Sequence, residues 1–290
     1  MARLRHEIEY LFTRIGMGLA RSLSPSAADR FGATLGSLTY ALFGSRRRIA
    51  LDNLRHAFGD TLGDEEIVEI ARAVFRNTGR TLIEFARLPS MLERGIDNLC
   101  VSDGLEQLRE AHSRGHGILA VSAHFGNHEM FGAWISSRGY RTHIIVGVQH
   151  NEKVDRLINA WRRHYGVGTI RVDQIREVLR ALKNNEIVAL LADQHAPNGI
   201  PIEFFGRKAA VARGPAVFSL RSGAPIIPLM MRRESLQHYV VEAGQPLYPP
   251  ESGDNEENVL EMTRTYTAFL EDRIRVWPDQ WLWTHRRWKI

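Results

Sequence analysis

The sequence predicts an α/β protein with a mostly parallel central sheet flanked by helices, preceded by a helical region over about residues 1–90. Two observations carry this. Before residue 90 no stretch alternates apolar and polar residues as a strand would. Beyond residue 99 short apolar runs alternate with amphipathic segments, the order that builds βαβ units. Composition permits the fold: 44% of the 290 residues are apolar and 24% charged, enough for a sizeable core and unlike a disordered chain.

Residues 27–43 and 48–58 read as helices. Asp64, Glu65 and Glu66 open the next one, where the positive end of the helix dipole favours carboxylates. Its apolar face is Ile67, Ile70, Ala71, Val74 and Phe75; it runs to about residue 86, and Pro89 is expected to stop it. After a helix at 105–113, the uncharged run 117–123 reads as a strand buried on both faces. A helix at about 129–138, a strand at 140–148 and a helix at 152–165 follow. Then come a helix at 173–184, a strand at 186–192 and a helix at 216–221. Strands at 226–232 and 238–242 and a closing helix at 255–277 complete the chain, with no internal repeat.

Lys and Arg outnumber Asp and Glu by 38 to 33, a net charge of +5 that suits a phosphate-bearing or anionic partner. The excess is densest at Arg46, Arg47 and Arg48 and at Arg286, Arg287 and Lys289. The single cysteine, Cys100, excludes an intrachain disulfide and a Cys-rich zinc site. No run approaches the roughly 20 apolar residues of a spanning helix. Ile8, Leu11, Phe12, Ile15 and Leu19 instead recur at helical spacing, flanked by Arg3, Arg5, Arg14 and Arg21. That pattern describes a helix lying in a membrane interface, or equally one packed on the body of the protein.

The segment Ala123-His124-Phe125-Gly126-Asn127-His128-Glu129 lies where a strand ends and a helix begins, the place where open α/β sheets bind ligands. A metal reading pairs His124 with His128, but a zincin sets its glutamate directly after the first histidine, and Phe125 stands there. The other functional reading pairs His124 with Glu129. On one helix these would diverge by about 140°, so His124 must precede the helix, with Asn127 as N-cap and Glu129 in the first turn. An ionised carboxylate then orients the imidazole, which serves as base for a hydroxyl. A histidine that only packs and caps fits the spacing as well. No G-x-S-x-G elbow or P-loop is present, and 115–120 matches a dinucleotide pattern that enters a strand instead of leaving one. A base without a nucleophile favours direct transfer to an acceptor hydroxyl.

His124 to Glu129 resembles the H-x4-[DE] motif of the glycerolipid acyltransferase superfamily. More of the chain is similar to its lipid A biosynthesis (lauroyl/myristoyl) branch. The similar stretches are Asn53-Leu54-Arg55-His56-Ala57-Phe58, then Asp155-Arg156-Leu157-Ile158 with Arg162 and Gly166, and then Asp193-Gln194. Phe204-Phe205-Gly206, Gly214-Pro215-Ala216, Gly223-Ala224-Pro225 and the tail from Pro278 to Trp288 continue the series.

The resemblance implies a glycerol-3-phosphate acyltransferase-like fold and transfer of a fatty acyl chain to a hydroxyl of a membrane glycolipid, most of all a lipid A precursor. The donor it implies is an acyl thioester on acyl carrier protein or coenzyme A, with no resident cofactor or metal and no nucleic acid partner. It carries His124 and Glu129 over as the catalytic dyad, Arg162 as a substrate-contacting arginine, and Asp193 and Gln194 as pocket positions. Phe125, Gly126 and Asn127 join them as substrate-site residues of the motif. Phe204 and Phe205 are expected to line an acyl channel, and Arg213 to offer a phosphate fork. The expected division is a membrane-associating region at 1–90 and the catalytic unit at 91–290, held peripherally at the cytoplasmic face of a bacterial inner membrane. H-F-G-N-H-E resembles the H-x-G-N-[WH]-E variants, which also occur in acyltransferases for mannosylated phosphatidylinositol and other glycolipids, so those acceptors stay open beside lipid A. A non-catalytic lipid-binding protein on the same scaffold is the alternative from another class.

Overall fold

The computed structural model describes residues 2–147 and 149–289. Four helices come first: α1 Ala2–Ser22, α2 Pro25–Leu42, α3 Gly44–Phe58 and α4 Asp64–Leu92. Ser24 caps α2 through the Ala27 N–H, with Pro25 at the first helical position. Glu66 closes the start of α4 by accepting the Gly63 N–H at 2.9 Å. The expected stop at Pro89 is corrected: α4 passes through it to Leu92. Leu88 and Met91 are buried there, and their burial outweighs one lost hydrogen bond in a final turn.

The remaining elements are β1 Cys100–Ser102, α5 Leu105–Ser113, β2 Ile118–Ser122, α6 His128–Ser136, β3 Thr142–Val146 and α7 Glu152–His164. They continue with β4 Val167–Arg171, α8 Ile175–Lys183, β5 Ile187–Leu191, β6 Ile200–Phe204 and β7 Arg207–Val211. Last come α9 Gly214–Ser222, β8 Ile226–Ser235, β9 His238–Ala243 and α10 Glu256–Val276. Among the described residues seven strands form one sheet in the order β1-β9-β8-β2-β5-β3-β4. Neighbours run parallel except β8 and β9, so the α/β architecture expected from the alternation is what forms.

Three strand features were not expected. β1, of three residues, and β4, of five, sit at the two sheet edges, where little apolar pattern is needed. β6 and β7 form a hairpin closed by Phe205 and Gly206, both at positive φ, a turn whose sequence lacks the usual Asn-Gly or Asp-Gly signal. The strand expected over 140–148 is shorter, and Val148 lies outside the described residues.

The helices of the first 90 residues share a core with the sheet. Ile67, Ala71, Val74 and Phe75 of α4 belong to the same apolar cluster as Leu119, Phe125 and Trp283. α1 buries Met17 and Ala20 against Ile83 and Ala86 of α4, and the Arg87 guanidinium binds the Ala20 carbonyl at 2.8 Å and that of Leu23. Its other face leaves Ile8, Leu11, Phe12, Ile15 and Leu19 exposed, so the stripe read from the sequence faces outward. Among the described residues no helix is long and apolar enough to cross a membrane.

Beneath the sheet's functional end, Arg233 of β8 forks onto Glu84 of α4 at 3.0 and 2.6 Å, and both are largely buried. Removing one partner of a buried pair strands the other charge. Arg233→Met is therefore expected to cost roughly 3–5 kcal/mol, read from urea unfolding midpoints. A loss below about 1 kcal/mol, as for an exposed pair, would contradict this role.

Candidate active site

The site follows from strand register. β2 and β5 pair in parallel from Ile118 opposite Ile187 to Ser122 opposite Leu191. Carried two residues past the strand ends, the same register sets His124 beside Asp193. The His124 Nδ1 lies 2.9 Å from Asp193 Oδ1, and the His124 main-chain N–H donates to Oδ2 at 3.0 Å. The chain must then turn away. Gly126 does so at φ +51°, and Asn127 caps α6 by accepting the Met130 N–H at 3.0 Å. The C-terminal tail clamps this turn from outside. Gly126 N–H donates to the Gln280 carbonyl at 3.0 Å and Leu282 N–H to that of His124 at 3.1 Å, bridging Phe125 to Trp281.

Asp193 is buried, and burial alone would raise its pKa. The charge and N–H groups of His124, with the Trp281 indole at 2.8 Å, overcome that and hold the carboxyl well below the ordinary carboxylate range. Burial pulls the His124 imidazole down; the charge and hydrogen bond of Asp193, helped by Glu129, outweigh it and leave its pKa above the usual 6.5. An ionised Asp193 takes the Nδ1–H tautomer, so Nε2 carries the lone pair. The Gln194 amide lies 3.5 Å from that nitrogen. His128, with its ring 5.2 Å from that of His124, is pushed down to about 4 by burial and by His124, and stays neutral at pH 7.

His124 opens into a cleft of about 340 Å³ with apolar walls from Leu82 and Phe85 of α4, Ile158 of α7 and Leu282 of the tail. Glu129 and Arg162 stand in the same cleft. Arg162 forks onto Glu129 at 3.2 and 2.5 Å and donates to Asn159 at 3.2 Å. The carboxylate on the His124 Nδ1 is thus that of Asp193, and Glu129 faces an arginine instead. Among the described residues no group of three or more His, Cys, Asp or Glu side chains is disposed to hold a metal ion.

The other expected residues divide. Phe125 is buried against the tail, and Asn127 donates to Glu84 at 2.8 Å beneath the site. Phe204 and Phe205 are corrected: they are buried core aromatics packed on Trp281, Trp283 and Trp288, and they do not line the cleft. Arg213, the N-cap residue of α9, pairs with Glu256 at 2.5 Å and is not among the residues that line the cleft. Sequence reasoning missed Trp281, Gln280 and Thr81. Gln280 and Trp281 stand in the tail motif, where nothing in the sequence marks them as reaching the site. Thr81, on the long helix, donates to the Gly126 carbonyl at 2.8 Å, and nothing local in the sequence marks it.

Residues 2–290 match the family model for bacterial lipid A biosynthesis acyltransferases. Similar curated proteins include the lipid A biosynthesis lauroyltransferase of Escherichia coli (strain K12), 26% identical over 292 residues, 97% of this chain and 92% of the relative. The lipid A biosynthesis palmitoleoyltransferase of the same organism is 25% identical over 267 residues, 89% of this chain and 83% of the relative. The phosphatidylinositol mannoside acyltransferase of Mycobacterium tuberculosis (strain CDC 1551 / Oshkosh) is 28% identical over 167 residues, 54% of this chain and 52% of the relative.

The turn after His124 has little room. A Cβ on Gly126 would stand 1.9 Å from the Met231 carbonyl oxygen, at a φ that L residues rarely adopt. Gly126→Ala is expected to cost roughly 1–3 kcal/mol from the backbone alone, and more from the clash. Urea unfolding reads this; an unchanged midpoint would show that the turn relaxes without cost.

Proposed function

The chain belongs to the bacterial lipid A biosynthesis acyltransferase family, and from that premise we propose the reaction that this glycolipid acyltransferase carries out. A fatty acyl chain passes from a thioester, on acyl carrier protein or coenzyme A, to a hydroxyl of a lipid A precursor, with His124 as general base. The observation that carries this is the imidazole whose Nδ1 faces buried, ionised Asp193 while the ring opens into an apolar-walled cleft. His124 Nε2 takes the hydroxyl proton as the oxygen attacks the thioester carbonyl carbon. The carbon–sulfur bond then breaks, and the imidazolium returns the proton to the leaving thiolate. Asp193 orients the ring and stabilises its charged form.

Glu129 acts through Arg162. Their forked pair fixes the guanidinium at the cleft, and Arg162 keeps N–H groups over for a phosphorylated substrate. A lipid A precursor is favoured as acceptor because the likeness to the lauroyltransferase runs over 97% of this chain, against 54% for the mannoside enzyme. Attachment is peripheral. The outward stripe of α1 meets lipid, with exposed Arg5 and Arg14 beside it. α1 packs on α7, whose Ile158 and Arg162 line the cleft.

The direct experiment incubates the purified chain with acyl carrier protein or coenzyme A thioesters and a phosphorylated lipid A precursor, then weighs the lipid by mass spectrometry. A gain of one acyl mass is expected. Release of free fatty acid alone, or acylation of phosphatidylinositol mannoside but not of the precursor, would overturn the reading.

His124→Ala is expected to lower kcat/KM by about 10²–10⁴-fold with the fold retained. Since the base must be neutral, kcat/KM should rise with pH through a midpoint above 6.5. In Asp193→Asn the chief opposition to burial is lost and only that of Glu129 remains, so that midpoint should move down. Arg162→Lys should raise KM for the phosphorylated substrate about tenfold, with a smaller loss in kcat. High salt should release much of the protein from anionic vesicles, at about 1 kcal/mol per basic residue near the surface. Extraction by detergent alone would place α1 deeper.

A further inference from the structure

The carboxylate facing His124 has a third donor, and it comes from the far end of the chain. The Trp281 indole N–H donates to Asp193 Oδ2 at 2.8 Å. The same oxygen accepts the His124 main-chain N–H at 3.0 Å, while Oδ1 faces the imidazole at 2.9 Å. Trp281 has little freedom to point elsewhere. It is 3% exposed, its main chain bridges to Phe125, and its ring packs on Phe204 at 5.7 Å and Trp283 at 4.6 Å.

We propose that Trp281 is the positioning residue of a Trp281–Asp193–His124 relay, whose indole N–H competes with the imidazolium for the charge of Asp193. The proposal rests on the reading of His124 as base. A hydrogen bond to a carboxylate is stronger the more negative charge that carboxylate keeps. With His124 neutral, Asp193 keeps its full charge and the indole bond is at its best. With His124 protonated, the ion pair draws that charge away and the indole bond weakens. The indole therefore favours the neutral imidazole and opposes part of the lift that Asp193 exerts. A base brought nearer the working pH is the more effective one. The other groups in electrostatic reach of the pair are His128 and Glu129 on α6, Arg162 on α7, and His285 and Arg287 in the tail. All of them are present whether or not the indole is.

The test titrates His124 in the full chain without substrate, by the Cε1 resonance of ¹³C-labelled histidine, identified by its loss in His124→Gln. Trp281→Phe keeps a ring and removes the N–H. It is expected to move the midpoint up by about 0.5–1 pH unit, a fraction of a charged hydrogen bond's worth. Asp193→Asn should move it down. A rupture that merely detached Asp193 from His124 would also move it down, so the opposite sign separates tuning from damage. An unmoved or lowered midpoint in Trp281→Phe overturns the relay. The wild-type protein supplies a reading that needs no variant to fold: the ¹⁵N-labelled Trp281 indole should shift with the His124 midpoint, and a flat indole signal overturns the relay. If the midpoints move as stated but the acid limb of kcat/KM does not follow, the relay stands and the base assignment falls.

Discussion

An ionised carboxylate buried at the end of a parallel strand is the constraint around which the molecule is arranged. Asp193 is 4% exposed, and a charge so placed is tolerated only where donors surround it. The register of β2 on β5 brings one donor pair, the ring and main chain of His124. The third comes from Trp281, which lies 88 residues further on and reaches the site only because the tail runs back over the turn at Gly126. The tail is held in turn: Asn53 of α3 donates to the carbonyls of Trp283 and His285 at 2.8 and 2.7 Å. The sheet and the tail thus meet at one side chain, and the first helices hold the tail that reaches it.

A second buried polar set supports the turn from below. Glu84 receives Arg233 and Asn127, Arg233 donates to Thr81, and Thr81 donates to the Gly126 carbonyl. Long helix α4 therefore does three things. It fills the core with Ile67, Val74 and Phe75, anchors the turn after His124, and walls the cleft with Leu82 and Phe85. The helical segment that reads as a separate region in the sequence is joined to the chemistry through it.

Much was legible because it is local. The uncharged run of β2, its glycine boundary and Asn127 as N-cap place His124 at a strand's end from residues close together in the chain. Partner choice was not legible, because it depends on register. Nothing within 124–129 says that β5 lies beside β2 with Ser122 opposite Leu191, and that pairing sets Asp193, not Glu129, on the imidazole. Phe204 and Phe205 illustrate the same limit. An aromatic pair suits a channel or a core equally well in sequence, and only the tail tryptophans packed against it decide for core. Pro89 fails as a stop for an energetic reason, since burial of Leu88 and Met91 exceeds a local propensity.

The central claim is that Asp193 works through His124, whereas Glu129 works through Arg162. The most direct measurement is a double-mutant cycle on kcat/KM at pH 8, comparing His124→Ala, Asp193→Asn and the two together. If the carboxylate serves only the imidazole, the double variant is no slower than His124→Ala alone. Losses that multiply, each substitution exacting its full penalty in the absence of the other residue, would contradict the account.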